Sequence, residues 1–156
     1  MTNDRRHLQL DLVHPISFYA GQYIEIEAPG QPGKWRCYSI ASSPASPDRI
    51  ELVVKRILGG GFSDQVDRFV RGFELNIRGP YGMGYLRAGN RPVLLVATGS
   101  GVAPLLSILR YCAAENVDRS FQFYYGARTI RHRNRDPELD PGSGGVLIGF
   151  RVQPHD

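Results

Sequence analysis

The chain has 156 residues, 42% of them hydrophobic, with 19 basic and 15 acidic side chains and a formal charge of +4; this is about one ordinary domain with enough apolar material for a core. No apolar run approaches the roughly 18 residues of a membrane span, and the polar start does not read as a signal peptide, so a cytoplasmic protein with no membrane partner is expected. Cys37 and Cys112 fit a reducing compartment and are too few for a four-cysteine iron–sulfur cluster within this chain, and His7, His14, His132 and His155 show no ligand spacing, so no metal site is expected.

Leu8, Leu10 and Leu12 alternate with His7, Gln9 and Asp11, which predicts a strand over 5–13 that His14-Pro15 breaks. Tyr23, Ile24 and Ile26 predict a second strand after the Ala20-Gly21 turn, and Pro29–Gly33 reads as a loop. Next comes Arg36-Cys37-Tyr38-Ser39-Ile40-Ala41-Ser42. In an extended segment Arg36, Tyr38, Ile40 and Ser42 share one face, and Cys37, Ser39 and Ala41 the other. Arg offers a planar fork that matches phosphate oxygens, and Tyr a flat surface for a ring system, so this face suits an anionic, aromatic ligand. The alternative is an ordinary strand with Arg36 and Tyr38 at the surface. Ile50, Leu52 and Val54 predict another strand alternating with Glu51, Val53 and Lys55, and Phe73, Leu75 and Ile77 a further one ending at Gly79-Pro80. Between these two lies Gly59-Gly60-Gly61-Phe62-Ser63-Asp64. Its glycines permit close backbone approach to a ligand, and Ser63 is the expected N-cap of a short helix that turns Phe62, Val66 and Phe69 inward. The exposed N–H groups of such a helix start suit a phosphate; a flexible hairpin loop is the plainer reading. Short strands with turn residues between them indicate an antiparallel barrel.

The pattern changes at Arg91-Pro92. Val93–Ala97 is a continuous apolar run, as in a strand covered on both faces. Thr98-Gly99-Ser100-Gly101-Val102-Ala103-Pro104 follows, then Leu105, Ile108, Leu109 and Cys112 at helical spacing, with Pro104 in the first turn. Phe121, Phe123 and Tyr125 form a second strand ending at Gly126. A glycine turn between strand and helix is where open α/β sheets bind nucleotides, although many tight turns carry the same glycines.

Arg36-x-Tyr38-Ser39, Gly60-Gly61-x-Ser63, Gly79-Pro80-Tyr81-Gly82, Gly99-x-Gly101-x-x-Pro104 and Phe123–Arg128, in this order, resemble the ferredoxin–NADP reductase superfamily. The look is closest to the reductase components of bacterial multicomponent oxygenases. The resemblance implies an antiparallel flavin-binding β-barrel, here over 1–88, followed by a Rossmann-like NAD(P)-binding domain, of which the sequence shows a partial strand–helix–strand unit over 91–128. Residues 129–156 read from composition as an irregular basic, Pro/Gly-rich tail in which Val146-Leu147-Ile148 could form a short strand. It further implies that Arg36 binds the FAD pyrophosphate, that Tyr38 packs on the flavin, and that Ser39 acts catalytically beside flavin N5. Gly60, Gly61 and Ser63 would complete the pyrophosphate cradle, with Ile40, Ser42, Val54, Lys55 and Phe62 also counted among the cofactor residues. Thr98, Gly99, Ser100, Gly101 and Pro104 would lie along NADH or NADPH. The implied activity is an FAD-dependent oxidoreductase that passes electrons from NAD(P)H to a protein acceptor, an oxygenase or ferredoxin-like partner.

The family's first barrel strand is largely missing, and its nucleotide domain continues for further strand–helix units that do not follow Arg128. A truncated, frame-shifted or fragmentary reductase is therefore expected, and a non-enzymatic flavin-binding remnant is the alternative function. A nucleic-acid module built on Arg128, Arg131, Arg133 and Arg135 is disfavoured, because those arginines lack interleaved aromatics. NADPH use would draw on Arg128 and Arg131; the first acid beyond the second strand is Asp136.

Overall fold

A computed structural model describes residues 5–127 and 146–152. Five strands and a short helix form the first unit: β1 (Arg5–Asp11), β2 (Tyr23–Glu27), β3 (Trp35–Ser39), β4 (Arg49–Lys55), α1 (Phe62–Gln65) and β5 (Ile77–Tyr81). All pair antiparallel. β1 lies on β4 with Leu8 opposite Leu52 and Leu10 opposite Ile50. β2 is flanked by β3 and β5. The two sheets meet where Ile40, just past β3, bridges to Leu52 of β4, giving the order β1-β4-β3-β2-β5. The predicted alternation is the reason they close: Ile50, Leu52 and Val54 from β4 point inward with Ile24 and Ile26 from β2, and Phe62 and Val66 plug the end. Each such side chain is worth about 1.5–3 kcal/mol once removed from water.

The last barrel strand differs from expectation. Residues 73–76 are irregular and Phe73 is exposed, while β5 begins at Ile77 and contains Gly79-Pro80 rather than ending at it. The β2–β5 ladder carries a register shift between Tyr23 and Glu25. Phe73 turns instead onto Phe69, ring centroids 4.6 Å apart. A ring-on-ring contact thus takes the place of a ladder position.

The second unit is β6 (Val93–Thr98), α2 (Ala103–Ala114), β7 (Phe121–Ala127) and β8 (Val146–Val152). β6 and β7 run parallel in the register Val93 to Phe121 through Thr98 to Gly126, with α2 as the crossover. β8 pairs antiparallel with β7; the short strand that Val146-Leu147-Ile148 offered within the tail forms and extends to Val152, while residues 128–145 and 153–156 lie outside the described ones. α2 turns Ile108 and Cys112 onto Leu95, Ala97, Phe121 and Phe123. Val93–Ala97 is not covered on both faces among the described residues. Leu95 and Ala97 are buried under α2, while Leu94 and Val96 are 62% and 61% exposed.

The connector between the units is packed down. The backbone of Gly21 approaches that of Gly84 so closely that a Cβ at Gly21, which sits at φ +112°, would lie 2.4 Å from the Gly84 carbonyl oxygen. The Leu86 amide donates to the Ala20 carbonyl at 3.2 Å, Tyr19 stacks on Tyr85 at 4.7 Å, and Ala20 itself belongs to the second core.

Candidate functional site

β3 supplies the first set of candidate residues. Its ladder sets Arg36 opposite Ile26 and Tyr38 opposite Ile24. Arg36 is exposed; its Nη1 donates to the Trp35 carbonyl at 3.0 Å, and no carboxylate pairs with it among the described residues. Tyr38 is half-buried with its ring centroid 5.0 Å from that of Phe62. Burial pushes its phenol up to about 12, so the ring stays neutral through the physiological range. Ser39 is half-buried.

The shared-face expectation holds only as far as Tyr38. Ile40 points into the barrel core with no exposure, and Ser42 is buried, its hydroxyl accepting the Glu51 amide at 3.1 Å. The strand ends at Ser39, and the chain beyond it is covered on both sides, with Ala41 also fully buried. On the other face, Cys37 lies 3.6 Å from a Glu25 oxygen; burial and that carboxylate push its thiol up, which disfavours the reactive thiolate.

The glycine loop is shaped as expected, except for its cap. The N-cap of α1 is Gly61, at φ 63°, and Ser63 lies inside the first turn, where it is buried. The Ser63 hydroxyl donates to the Ile57 carbonyl at 3.5 Å rather than to the helix start. Gly61 takes the cap because only glycine enters that left-handed conformation without a Cβ penalty. A Cβ on Gly60 would stand 2.5 Å from Ser63 Oγ and 2.7 Å from the Ile57 oxygen, so the loop folds tightly on itself. With only four residues α1 has little macrodipole; what it can offer an anion is backbone N–H.

Phe62 and Val54 are fully buried, so like Ile40 they can meet a ligand only through their backbone. Lys55 is exposed at the end of β4. Arg56 is engaged by Asp64 at 3.4 Å and Asp67 at 3.3 Å, and Arg6 also pairs with Asp67. Arg36 therefore differs from Arg56 in pairing with no carboxylate among the described residues.

In the second unit Thr98 is exposed, and Gly99 at φ +58° starts a 3₁₀ turn over Gly99–Val102 that runs into α2, with Pro104 in its first turn. The Tyr125 hydroxyl donates to the Gly99 carbonyl at 3.2 Å and accepts from Arg5 Nη1 at 3.0 Å. Sequence reasoning overlooked Arg5.

It also overlooked a set of contacts along α2. Ser107, fully buried, donates to the Ser42 carbonyl at 2.6 Å. Arg110 Nη1 donates to the Ala41 carbonyl at 2.8 Å and to Glu51 at 2.6 Å. Glu51 also meets His7 Nε2 at 2.9 Å. Burial pushes the Glu51 carboxyl up, but the bonds from Arg110 and His7 outweigh it and hold it below the usual carboxylate range. The only local signal was the spacing of Ser107 and Arg110, three apart on one side of the helix.

β3 is thus joined to α2 directly after Ser39. No hydrogen bond among the described residues links the Gly60–Ser63 loop to the Gly99–Pro104 turn; the two connect only through the barrel wall. Arg128, Arg131, Arg133, Arg135 and Asp136, the candidates for nucleotide choice and nucleic-acid contact, lie outside the described residues. Among the described residues no helix is long and apolar enough to cross a membrane, and no group of three His, Cys, Asp or Glu could hold a metal.

Residues 1–85 match the oxidoreductase FAD-binding domain family, and residues 95–140 the oxidoreductase NAD-binding domain family. The chain is 43% identical over 133 residues to the propane 2-monooxygenase reductase component of Gordonia sp. (strain TY-5), covering 83% of this chain and 38% of that protein. It is 40% identical over 134 residues to the ferredoxin–NAD(+) reductase component of the alkene monooxygenase system of Xanthobacter autotrophicus (strain ATCC BAA-1158 / Py2), covering 85% and 40%. Among solved structures it superposes on the ferredoxin reductase in carbazole 1,9a-dioxygenase with a TM-score of 0.74 at 32% identity, covering 89% of this chain and 42% of the other. Phthalate dioxygenase reductase gives 0.69 at 28% identity, covering 78% and 39%. The chain spans about two fifths of the length of these relatives.

Proposed function

The chain belongs to the oxidoreductase FAD-binding domain family, and from that premise we propose that it binds FAD on the barrel and takes electrons from NADH or NADPH for delivery to a protein acceptor, an oxygenase or a ferredoxin-like carrier. The observation that carries this reading is β3 itself. It offers an exposed guanidinium that pairs with no carboxylate among the described residues, then a half-buried neutral ring, then a hydroxyl, and the segment just past it is hydrogen-bonded by Ser107 and Arg110 of the helix that follows the Gly99–Val102 turn.

The residues fit the group. A dinucleotide pyrophosphate needs a cation not already neutralised, and Arg36 is one, whereas Arg56 is held by Asp64 and Asp67. Gly61 at φ 63° keeps the loop's backbone free of a Cβ where a phosphate would approach. In this reading Arg36 and the amides of Gly60–Ser63 hold the pyrophosphate, with Lys55 adding charge. Tyr38 covers one side of the ring system, and Ser39 presents its hydroxyl at the reacting edge. Ile40, Ser42, Val54 and Phe62 support the strand and loop from beneath. Thr98, Gly99, Ser100, Gly101 and Pro104 orient the nicotinamide nucleotide. When bound, FAD supplies the chemistry, accepting a hydride from NAD(P)H and releasing single electrons; the protein's part is orientation, charge and exclusion of water. The domain limits that go with this reading are a barrel over 1–88 and a nucleotide unit from 91. A reducing, cytoplasmic setting accords with the free thiols of Cys37 and Cys112.

A second reading, flavin binding without turnover, draws on the exposed face of β6 at Leu94 and Val96, which leaves the nucleotide unit thinly supported. Mixing the purified chain with FAD, NADH and ferricyanide tests the proposal. FAD-dependent consumption of NADH supports an electron-transfer reductase; FAD retention without consumption supports the second reading; no retention of FAD removes both.

A further inference from the structure

We propose that Ser107 and Arg110 are positioning residues that set the nucleotide-binding turn against the flavin strand. The inference rests on the functional reading above and deepens it by naming what holds its two halves in register. Four observations converge on the segment just past Ser39. Ser107 is fully buried and donates to the Ser42 carbonyl at 2.6 Å. Arg110, one turn further along α2, bonds the Ala41 carbonyl at 2.8 Å. The same guanidinium reaches Glu51 on β4 at 2.6 Å. The Ala41 amide in turn donates to the Glu51 carbonyl at 2.7 Å, and the Glu51 amide to Ser42 Oγ at 3.1 Å. Ala41 and Ser42 are thereby pinned from the barrel side by β4 and from the other side by α2.

The geometry has a mechanical consequence. α2 begins at Ala103, immediately after the Gly99–Val102 turn, so fixing Ser107 and Arg110 fixes the turn at the helix's start. The other end of the tie is two residues from Ser39. The hydroxyl at the reacting edge and the turn that orients the donor are thus linked through one short, hydrogen-bonded path. Two hydrogen-bonded carbonyls fix the distance along α2 as well as the approach, which a single ion pair would not do. Neither Ser107 nor Arg110 touches the proposed cofactor contacts of Arg36, Tyr38 or the Gly60–Ser63 loop, so loss of the tie should impair hydride delivery and leave flavin affinity alone.

The experiment uses the full chain loaded with FAD and three variants, Ser107→Ala, Arg110→Ala and Arg110→Lys. FAD affinity is read by flavin fluorescence, and reduction by saturating NADH by anaerobic stopped-flow. Amide exchange at Ala41 and along α2 is followed without nucleotide. The expected result is FAD affinity within about twofold of the parent, faster exchange at Ala41 and in the first turns of α2, and a reduction rate lowered roughly 10- to 100-fold in Arg110→Ala. Ser107→Ala is expected to lose less, and Arg110→Lys, which keeps the charge for Glu51, to recover part of the rate. Variants reduced as fast as the parent overturn the proposal and leave the functional reading standing. So does a loss of rate that only parallels a loss of FAD, since that marks a general structural role. A parent chain that retains no FAD overturns the functional reading, and this inference with it.

Discussion

In the barrel, Ile24, Ile26, Ile40, Ile50, Leu52, Val54 and Phe62 are each no more than 1% exposed, and strands from two sheets and a helix surround them. In the α/β unit the core residues, Ala97, Ile108, Cys112, Phe121 and Phe123 among them, are less completely covered and lie on one side of the sheet, while Leu94 and Val96 stand out on the other. The difference follows from architecture. An antiparallel barrel buries its inner face with its own strands, so alternating residues are enough. A parallel pair needs layers on both faces, and α2 supplies one. The barrel is therefore covered by its own elements, whereas the second unit is also anchored to its neighbour through Ser107, Arg110 and the Tyr19–Tyr85 connector.

The contrast can be broken most forcefully in the barrel. Leu52→Ala removes a fully buried side chain that sits opposite Leu8 and next to the Ile40 bridge. It should cost about 2–5 kcal/mol, a large fraction of the roughly 5–15 kcal/mol by which a typical domain is stable. Urea unfolding read by far-UV circular dichroism would show the midpoint collapse; an unchanged midpoint would mean the barrel core is not where the stability lies. Arg36→Ala probes function without touching that core. It should weaken FAD binding by about one to two decades, equivalent to about 1.5–3 kcal/mol for a charge-assisted contact, while leaving the urea midpoint in place. Isothermal titration with FAD would check it.

Gly61→Val comes next. Gly61 at φ 63° and ψ −103° lies in a region sparsely open to side chains, so a β-branched residue there is strained by about 1–3 kcal/mol, and the strain should appear in both FAD affinity and unfolding, because the loop leads into buried Phe62. Smallest is the paired change Leu94→Thr with Val96→Thr. Both residues are exposed and keep β-branched or strand-compatible replacements, so the unfolding free energy should move by no more than about 0.5 kcal/mol per site. Self-association measured by sedimentation should fall, since the apolar face is reduced. A large destabilisation would mean that this face is covered in solution.

Most of the barrel was legible from period-two alternation. Leu8-Leu10-Leu12 and Ile50-Leu52-Val54 predict strands, and each pairs in the register that buries them together. The helix of the second unit was legible for a similar reason, its apolar residues at helical spacing leading to Ile108 and Cys112 in the core. What sequence could not convey was whatever depends on two distant residues meeting. Phe73-Leu75-Ile77 alternates like a strand, yet Phe69 draws Phe73 into a ring stack and the ladder starts at Ile77. Ser63 has the chemistry of a cap, but the tight turn over Ile57 carries its hydroxyl elsewhere and gives the cap to Gly61. Ile40 and Ser42 shared a face on paper with Arg36 and Tyr38; burial against β4 and α2 removes them from it. Ser107 and Arg110 carry no local signal that names their partners, and only the fold shows that these are the carbonyls of residues more than 60 positions earlier.

The comparison between the two halves converges on anaerobic stopped-flow reduction of the FAD-loaded monomer by NADH, followed at the flavin absorbance. Amplitude reports what the barrel holds, and rate reports how well the nucleotide unit is positioned. A full flavin amplitude is expected, because the proposed contacts at Arg36, Tyr38 and the Gly60–Ser63 loop all belong to the barrel. Reduction is expected well below the roughly 10 per second typical of enzyme turnover, because Leu94 and Val96 leave one apolar face of β6 exposed and the proposed nicotinamide turn is tied to the barrel only through α2 and the Tyr125–Arg5 contact among the described residues. Full reduction at or above that rate from a monomer would contradict the claim that the second unit is less well covered and positioned than the barrel.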